Sequence, residues 1–262
     1  MKQKIYQVDA FASALFKGNP AAVCIMESWP SESLMQDIAM ENNLSETAFL
    51  VKNKERYDIR WFTPEVEVDL CGHATLASAF VLFSYHEPKA EKLDLFSPRS
   101  GPLSVLRQTD GSLSLNFPAD TIAQIDPIQE LNQAMGITPQ KTFKGKTDIM
   151  LIYGSQTEIE GLQPNFFLMK SLPVRGVIAT APGVDVDFVS RFFAPQSGVD
   201  EDPVTGSAHT SLTPFWAKEL NKELLFAKQL SKRGGDLMCR MMGDRIELTG
   251  KAKLYLEGEI NI

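Results

Sequence analysis

The sequence has 262 residues, of which 44% are hydrophobic and 23% are charged. This composition is typical of a soluble globular protein and excludes a disordered or low-complexity chain. Lys and Arg number 26 against 33 Asp and Glu, so the net charge is −7. That charge argues against nucleic acid as a partner and against docking on an anionic membrane. The length predicts one large domain or two modest ones.

The N-terminal residues contain no apolar run, so we expect no secretory signal and a cytoplasmic protein. The longest uncharged apolar stretch, Ala74 to Tyr85, is shorter than the ~20 residues of a membrane helix. The three cysteines, Cys24, Cys71 and Cys239, lack the spacing of a zinc site. We therefore expect reduced thiols and no bound metal.

Strands dominate the expected secondary structure, because apolar and polar residues alternate in many short segments. An Asp-Gly turn at residues 110–111 joins two of these segments into a predicted hairpin. The predicted strands, in chain order, are residues 6–11, 21–26, 48–51, 57–62, 103–105, 113–117, 149–153, 166–169, 177–180, 246–248 and 252–256, the last two joined by a turn at Thr249-Gly250.

Helical patterns are fewer. Ser31 or Ser33 can cap a helix that runs to about Glu41. Residues 185–193 predict a second, short helix.

Two further helices carry almost no charge. The first begins at Gly72 and is uncharged through Tyr85, and the second begins at Gly206 and is uncharged until Lys218. A helix without a polar face is buried on all sides. In a chain of short strands, the first of these helices belongs inside a curled sheet.

An internal repeat relates these two helices. Arg-Trp-Phe-Thr-Pro at residues 60–64 resembles Arg-Phe-Phe-Ala-Pro at residues 191–195, about half the chain away. Cys-Gly-His-Ala at residues 71–74 aligns in the same order with Thr-Gly-Ser-Ala at residues 205–208. Two ordered matches predict two similar halves, each a strand-rich shell around one buried helix.

The starts of the two buried helices have a chemical property in common. A helix N-terminus exposes free N–H groups and a partial positive charge. If the halves pack with pseudo-twofold symmetry, both N-termini face one cleft, which suits a small carboxylate ligand.

Several motifs resemble the signatures of the PhzF-like family, which is named for phenazine biosynthesis. They follow one another in the family's order along the chain: Val8-Asp9-Ala10-Phe11, Gly18-Asn19-Pro20-Ala21, Asn43-Leu44-Ser45-Glu46-Thr47-Ala48-Phe49, Cys71-Gly72-His73-Ala74-Thr75 and Glu201-Asp202-Pro203-Val204-Thr205-Gly206-Ser207-Ala208.

The resemblance implies the fold of diaminopimelate epimerase and proline racemase. That fold is α+β, with two pseudo-symmetric halves, each a β-barrel wrapped around a buried central helix, and the active site between them. We expect the halves at residues 1–116 and 117–262, with the last strand able to return to the first half. The resemblance also implies a homodimer.

Relatives that racemise amino acids use one cysteine at each central helix start. Here Cys71 occupies the first position, whereas Thr205, or Val204 if the alignment slips by one residue, occupies the second. Neither can serve as the second thiol, so we expect no two-cysteine racemisation. Cys71 is better interpreted as a small residue that fills the helix start.

The resemblance assigns an acid/base set to three residues. Glu46 corresponds to the proton shuttle of the family, His73 contacts substrate, and Asp202 polarises or orients a substrate amine or hydroxyl. Each has a plainer interpretation. Glu46 could be a surface or capping residue, His73 a structural histidine, and Asp202 the N-cap of the second helix. We also expect the helix N-terminus to lower the pKa of His73.

Five further residues are candidates for substrate binding. Ser207 and the amides near Gly206 and Thr205 are placed to hold a substrate carboxylate, as Gly72 is at the first helix start. Asn19 either closes the site or only shapes a turn.

These observations predict a cofactor-independent isomerase that moves a proton between carbons of a small carboxylate metabolite. Two alternatives remain open. One is an epimerase that works at a single carbon. The other is a non-catalytic small-molecule-binding or scaffold protein that retained the cleft.

Overall fold

The computed structural model describes residues 2–262. The chain divides into two compact units, and the first is discontinuous in sequence. It contains the described residues up to Asn116 together with Thr249–Ile262, and the second unit contains Phe117–Leu248. Within the described residues, no helix has both the length and the apolar composition needed to cross a membrane.

The secondary structure of residues 2–262 is mainly extended. The strands are β1 Lys2–Ala10, β2 Asn19–Met26, β3 Glu46–Asn53, β4 Arg56–Phe62, β5 Glu67–Val68, β6 Lys92–Ser97, β7 Gly101–Arg107, β8 Leu113–Pro118, β9 Ala123–Ile125, β10 Lys141–Lys144, β11 Asp148–Ile152, β12 Gly176–Pro182, β13 Phe188–Ala194, β14 Val199–Asp202, β15 Leu224–Gln229, β16 Gly235–Met242, β17 Arg245–Gly250 and β18 Ala252–Asn261. The helices are α1 Glu32–Asn42, α2 Gly72–Val81, α3 Gln129–Met135, α4 Gln156–Gly161, α5 Phe166–Lys170 and α6 Gly206–Leu220.

The first unit is a mixed sheet, in which two parallel strand pairs lie among antiparallel ones. β1 pairs antiparallel with β2 and with β18, and β2 runs parallel to β3. β3 and β4 are antiparallel, β4 is parallel to β6, and β6, β7 and β8 form antiparallel hairpins. The final strand of the chain therefore belongs to the same sheet as the first.

Helix α2 is enclosed by the first unit, as its lack of charge predicts. Residues 73–79 are all buried, and the helix packs against β1, β2 and β3. Its two hydroxyl groups bond inside the helix, Thr75 Oγ1 to the Cys71 carbonyl and Ser78 Oγ to the Ala74 carbonyl. These bonds satisfy the polar groups of a helix that has no aqueous face.

Helix α1 covers another part of the same unit. The Ser31 hydroxyl accepts the Leu34 N–H at 3.2 Å, so Ser31 rather than Ser33 is the N-cap. Met35, Ile38 and Ala39 are buried, and the helix ends where Asn43 adopts a left-handed conformation. The predicted helix is confirmed.

Two of the secondary-structure predictions for the second unit were wrong. Residues 185–193 were expected to be helical, but Phe188–Ala194 form β13, which pairs antiparallel with β12 and parallel with β15. Its bulky aromatic and β-branched residues are buried on both faces, so helical and strand periodicity cannot be told apart. Residues 166–169 were expected to be a strand but lie in α5, which the Asn165 side chain caps.

The repeat in the sequence corresponds to equivalent features within each unit. In the first unit Arg60 of β4 forms a two-pronged ion pair with Glu67, whose strand leads to α2. In the second unit Arg191 of β13 forms a similar pair with Glu201, whose strand leads to α6. Each ion pair anchors the short strand from which the buried helix begins.

Candidate active site

Glu46 and His73 lie together in the first unit. Glu46 is the first residue of β3, and the register of β3 against β2 places it opposite Ala21. His73 is the second residue of α2. Glu46 Oε2 lies 3.0 Å from His73 Nε2, and the two side chains are only 16% and 6% exposed. Glu46 is therefore a partly buried acid that is paired with the His73 imidazole, and it is not a surface residue.

Asn19 completes the surroundings of the imidazole. It is the first residue of β2, is fully buried, and places its Nδ2 3.2 Å from His73 Nδ1. A primary amide carries both a donor and an acceptor. Asn19 can therefore hold His73 in either protonation state and fix the direction in which Nε2 points.

The pKa of His73 departs from the expectation drawn from the sequence. Burial disfavours the charged imidazole, but the neighbouring Cys71 and Glu46 outweigh it and raise the pKa of His73 well above its usual value. The prediction of a lowered pKa was wrong, because these two neighbours together outweigh burial.

Cys71 is the residue that precedes α2, and its side chain makes no capping hydrogen bond. Its Sγ lies 3.5 Å from His73 Nδ1. Burial, with a further contribution from Glu46, raises the pKa of the Cys71 thiol to about 11. The thiol is therefore protonated at neutral pH, which makes it a poor base.

Asp202, Thr205, Gly206 and Ser207 lie together in the second unit, where β14 leads into α6. Thr205 is the N-cap residue of α6, and its hydroxyl donates to Asp202 Oδ2 at 2.5 Å. Asp202 thus accepts a hydrogen bond from the residue at the N-cap position, whose own side chain makes no capping hydrogen bond, and does not occupy that position itself. Gly206 is buried and Ser207 is exposed.

Gln229 of β15 was missed in the sequence interpretation. Its Oε1 accepts the Thr205 N–H at 2.9 Å, and its Nε2 donates to the Asp202 carbonyl at 2.8 Å and to the Thr205 hydroxyl at 3.1 Å. A single buried amide thus fastens the turn between β14 and α6. The Thr205 amide and hydroxyl already have protein partners, and nothing in the sequence around Gln229 signals this role.

His209 of α6 has a different environment from that of His73. It is fully buried, and its Nδ1 lies 2.8 Å from the Thr205 carbonyl, which accepts a hydrogen bond from the ring. Burial, opposed only by this bond, lowers the pKa of His209 to about 4. It is a neutral structural residue that stabilises the start of α6.

The geometry of the first unit supports one kind of chemistry above others. A partly buried carboxylate that lies beside an imidazole can take a proton from carbon and return it. The fold and this site together define the class: an α+β protein with an acid/base pair at the start of an enclosed helix.

The chain belongs to the PhzF-like family, because the family model for phenazine biosynthesis-like proteins matches residues 8–258. An uncharacterized isomerase from Pseudomonas aeruginosa is 49% identical over 262 residues, which cover 100% of both chains. The resemblance drawn from the motifs is therefore confirmed.

Solved structures agree with this assignment. The crystal structure of a PhzF-family protein from Enterococcus faecalis has 46% identity and a TM-score of 0.96, with 100% of both chains covered. A hydroxyproline epimerase from Agrobacterium vitis has a TM-score of 0.67 over 99% of this chain and 92% of its own. At 11% identity the latter shows the fold alone. The predicted α+β class is confirmed.

Proposed function

We propose that this protein is a cofactor-independent isomerase that moves a proton between two carbons of a small carboxylate metabolite. The contact of 3.0 Å between Glu46 Oε2 and His73 Nε2 carries the proposal. Relatives that span the whole chain are named isomerases, which supports the same class of reaction.

Glu46 is the acid/base group in this proposal. Its carboxylate accepts the proton as a substrate C–H bond breaks, and the electron pair moves into the conjugated system of the substrate. The same oxygen then returns the proton to a second carbon, so Glu46 ends as the carboxylate from which it began. One group can perform both steps because both carbons are reached on the same face.

His73 stabilises the charge that develops during the transfer. Its raised pKa favours the protonated imidazole, which places a positive charge next to the substrate carbon when negative charge forms on the substrate. Such fixed charges are a major source of rate enhancement because they need no rearrangement during the reaction. Asn19 keeps the ring in place through its contact with Nδ1.

Asp202 and the start of α6 are assigned to substrate binding. Asp202 is proposed to contact a substrate amine or hydroxyl, and Gly206 and Ser207 to contact a carboxylate. The support is that Gln229 and Thr205 hold the Asp202 segment rigidly, as a binding group requires.

Deuterium uptake from heavy water tests the proposal. A panel of small amino, hydroxy and unsaturated cyclic acids is incubated with the wild type, with Glu46→Gln and with the exposed control Glu41→Gln, and uptake is read by mass spectrometry. We expect uptake by wild type and control, and a reduction of about 100-fold or more in Glu46→Gln, since general acid/base catalysis contributes about 10²–10⁴-fold. Full uptake by Glu46→Gln would exclude Glu46 as the base.

The stereochemistry of the labelled product separates the remaining alternatives. Label at a new carbon supports proton migration, whereas label at the original carbon with inversion indicates an epimerase. Tight binding of a panel compound in a thermal-shift assay, without any exchange, would contradict catalysis and indicate a binding protein.

A further inference from the structure

The proposed acid/base pair lies beside a thiol, and together the three side chains present a set of metal-binding atoms. Cys71 Sγ, a His73 ring nitrogen and a Glu46 carboxylate oxygen all lie within 4.8 Å of one another. Thiolate, imidazole and carboxylate are the three ligand types that Zn²⁺ accepts in proteins. The sequence does not reveal this set because its members come from β3, from the residue before α2 and from α2 itself.

The distances nearly fit one ion. Zinc–ligand bonds of about 2.3 Å to sulfur and about 2.0–2.1 Å to nitrogen or oxygen place tetrahedral sulfur and nitrogen ligands about 3.6 Å apart, and nitrogen and oxygen about 3.3 Å apart. The corresponding separations here are 4.0 Å from Cys71 Sγ to His73 Nε2 and 3.0 Å from His73 Nε2 to Glu46 Oε2. Cys71 Sγ lies closer to His73 Nδ1, at 3.5 Å, so its side chain must rotate toward Nε2 for one ion to join the three atoms.

The surroundings also favour a ligand role. Glu46 Oε2 is buried and accepts no well-aligned hydrogen bond from any described residue, although the imidazole is near it. The Asn19 Nδ2 contact at His73 Nδ1 orients the ring with Nε2 toward Glu46. With a metal on Nε2, Nδ1 would carry the proton, and the Asn19 amide would turn its oxygen toward Nδ1 to accept it. The site therefore has a soft ligand, an oriented imidazole and a buried carboxylate oxygen beside it.

We infer that Glu46, Cys71 and His73 bind a single thiophilic divalent cation of the Zn²⁺ type, and that this cation inhibits the protein. Binding displaces the thiol proton of Cys71 and any proton on His73 Nε2 to solvent. Three protein ligands leave the fourth position to water. Mg²⁺ and Ca²⁺ are excluded as occupants because they require oxygen ligands. The inhibition rests on the proposed function, since the ion would occupy the acid/base pair, whereas the binding does not.

Cobalt substitution tests the binding directly. Co²⁺ is added to the reduced wild-type protein, to Cys71→Ser and to the control Cys239→Ala, which removes a buried thiol of the second unit. We expect a thiolate-to-cobalt absorption band at one equivalent in wild type and Cys239→Ala, abolished by excess Zn²⁺ and absent in Cys71→Ser. No band in wild type, or an equal band in Cys71→Ser, would overturn the inference. Circular dichroism confirms that each variant is folded, and Cys71→Ala replaces Cys71→Ser if the serine variant is not.

Zinc inhibition is then measured in the deuterium-uptake assay, each variant relative to its own rate without metal. Loss of the thiol should raise the inhibitory Zn²⁺ concentration at least about tenfold, since even outer-shell changes weaken metal binding by about 10–100-fold. If the cobalt band is present but Zn²⁺ leaves uptake unchanged, the inhibitory half of the inference is wrong and Glu46 is not the base. If the band is absent and Glu46→Gln still abolishes uptake, the proposed function stands and the metal site does not.

Discussion

His73 shows how close neighbours can reverse the effect of burial on a single residue. The side chain is almost completely enclosed, which by itself lowers the pKa of a histidine. Cys71 and the Glu46 carboxyl group, which lies at 3.0 Å, have the opposite effect on the pKa and together outweigh burial. The result is a more readily protonated imidazole next to the proposed base. Residue identity alone does not predict this balance, because it depends on a distance between two elements.

Removing the Glu46 charge should therefore lower the pKa of His73. In Glu46→Gln the burial remains and the attractive carboxylate is lost, so the pKa is expected to fall from its raised value. The imidazole resonances followed by NMR through a pH titration measure this, and the chain has only three histidines to assign. Glu41→Gln should leave the titration unchanged. An unaltered His73 pKa in Glu46→Gln would mean that Cys71, not Glu46, controls the imidazole.

A second prediction at the scale of a single residue concerns Gln229, which stabilises the segment that carries Asp202. Gln229→Leu would leave the buried Thr205 N–H without an acceptor and would remove two further bonds. An unsatisfied buried group costs about 1–3 kcal/mol, so we expect a loss of about 2–4 kcal/mol in the free energy of unfolding by urea. The exposed Gln196→Leu should change it by less than about 0.5 kcal/mol. Equal losses in the two variants would show that Gln229 does not fasten the turn.

Helix α1 provides a test at the scale of an element. The sequence leaves Ser31 and Ser33 as equal candidates for the cap, and the structure selects Ser31. Ser31→Ala should lower the free energy of unfolding by about 1 kcal/mol, because the Leu34 N–H loses its acceptor. Ser33→Ala should cost clearly less. A larger loss in Ser33→Ala, measured by the same urea titration, would contradict the assignment.

A helix or strand was predictable from the sequence where its pattern of apolar and charged residues fits only one type of secondary structure. The uncharged runs after Gly72 and Gly206 can only be buried helices, and α2 and α6 begin at those residues. β13 was not predictable, since a strand buried on both faces has no alternation and its aromatic run also fits a helix turn.

The candidate site was predictable only in part. Family motifs identify Glu46 and His73, but they do not place Cys71 beside both, and they do not include Gln229. Contacts between distant segments depend on how strands are paired, and pairing is set by the whole sheet rather than by local sequence.

The stability of the whole molecule should fall in acid because of His209. Its folded pKa, lowered to about 4 by burial, lies below the value of about 6.5 expected in the unfolded chain. The unfolded state therefore binds a proton that the folded state excludes, and stability is lost as the pH falls from about 6.5 to 4. The full effect is about 3 kcal/mol. His73 has the opposite sign, since its raised pKa stabilises the folded protein below about pH 6.5 and less as the pH rises.

His209→Asn should flatten this acid dependence, because asparagine keeps a donor for the Thr205 carbonyl and does not titrate. Chemical denaturation at a series of pH values between 4 and 7 measures the slope in both proteins. His86→Asn, which replaces an exposed histidine, serves as the control. It should retain most of the dependence of stability on pH. A slope in His209→Asn as steep as in the wild type would show that other groups cause the acid loss.

The pairing of β1 with β18 joins two segments that are far apart in the sequence. Lys2 lies opposite Asn261, so β1 has both of its neighbouring strands only after β18 has been made and has paired. The second unit, in contrast, is one continuous stretch of chain that precedes β18. Until β18 pairs, β1 carries an unpaired sheet edge, and an unpaired edge is where chains associate wrongly. Loss of β18 would leave that edge open.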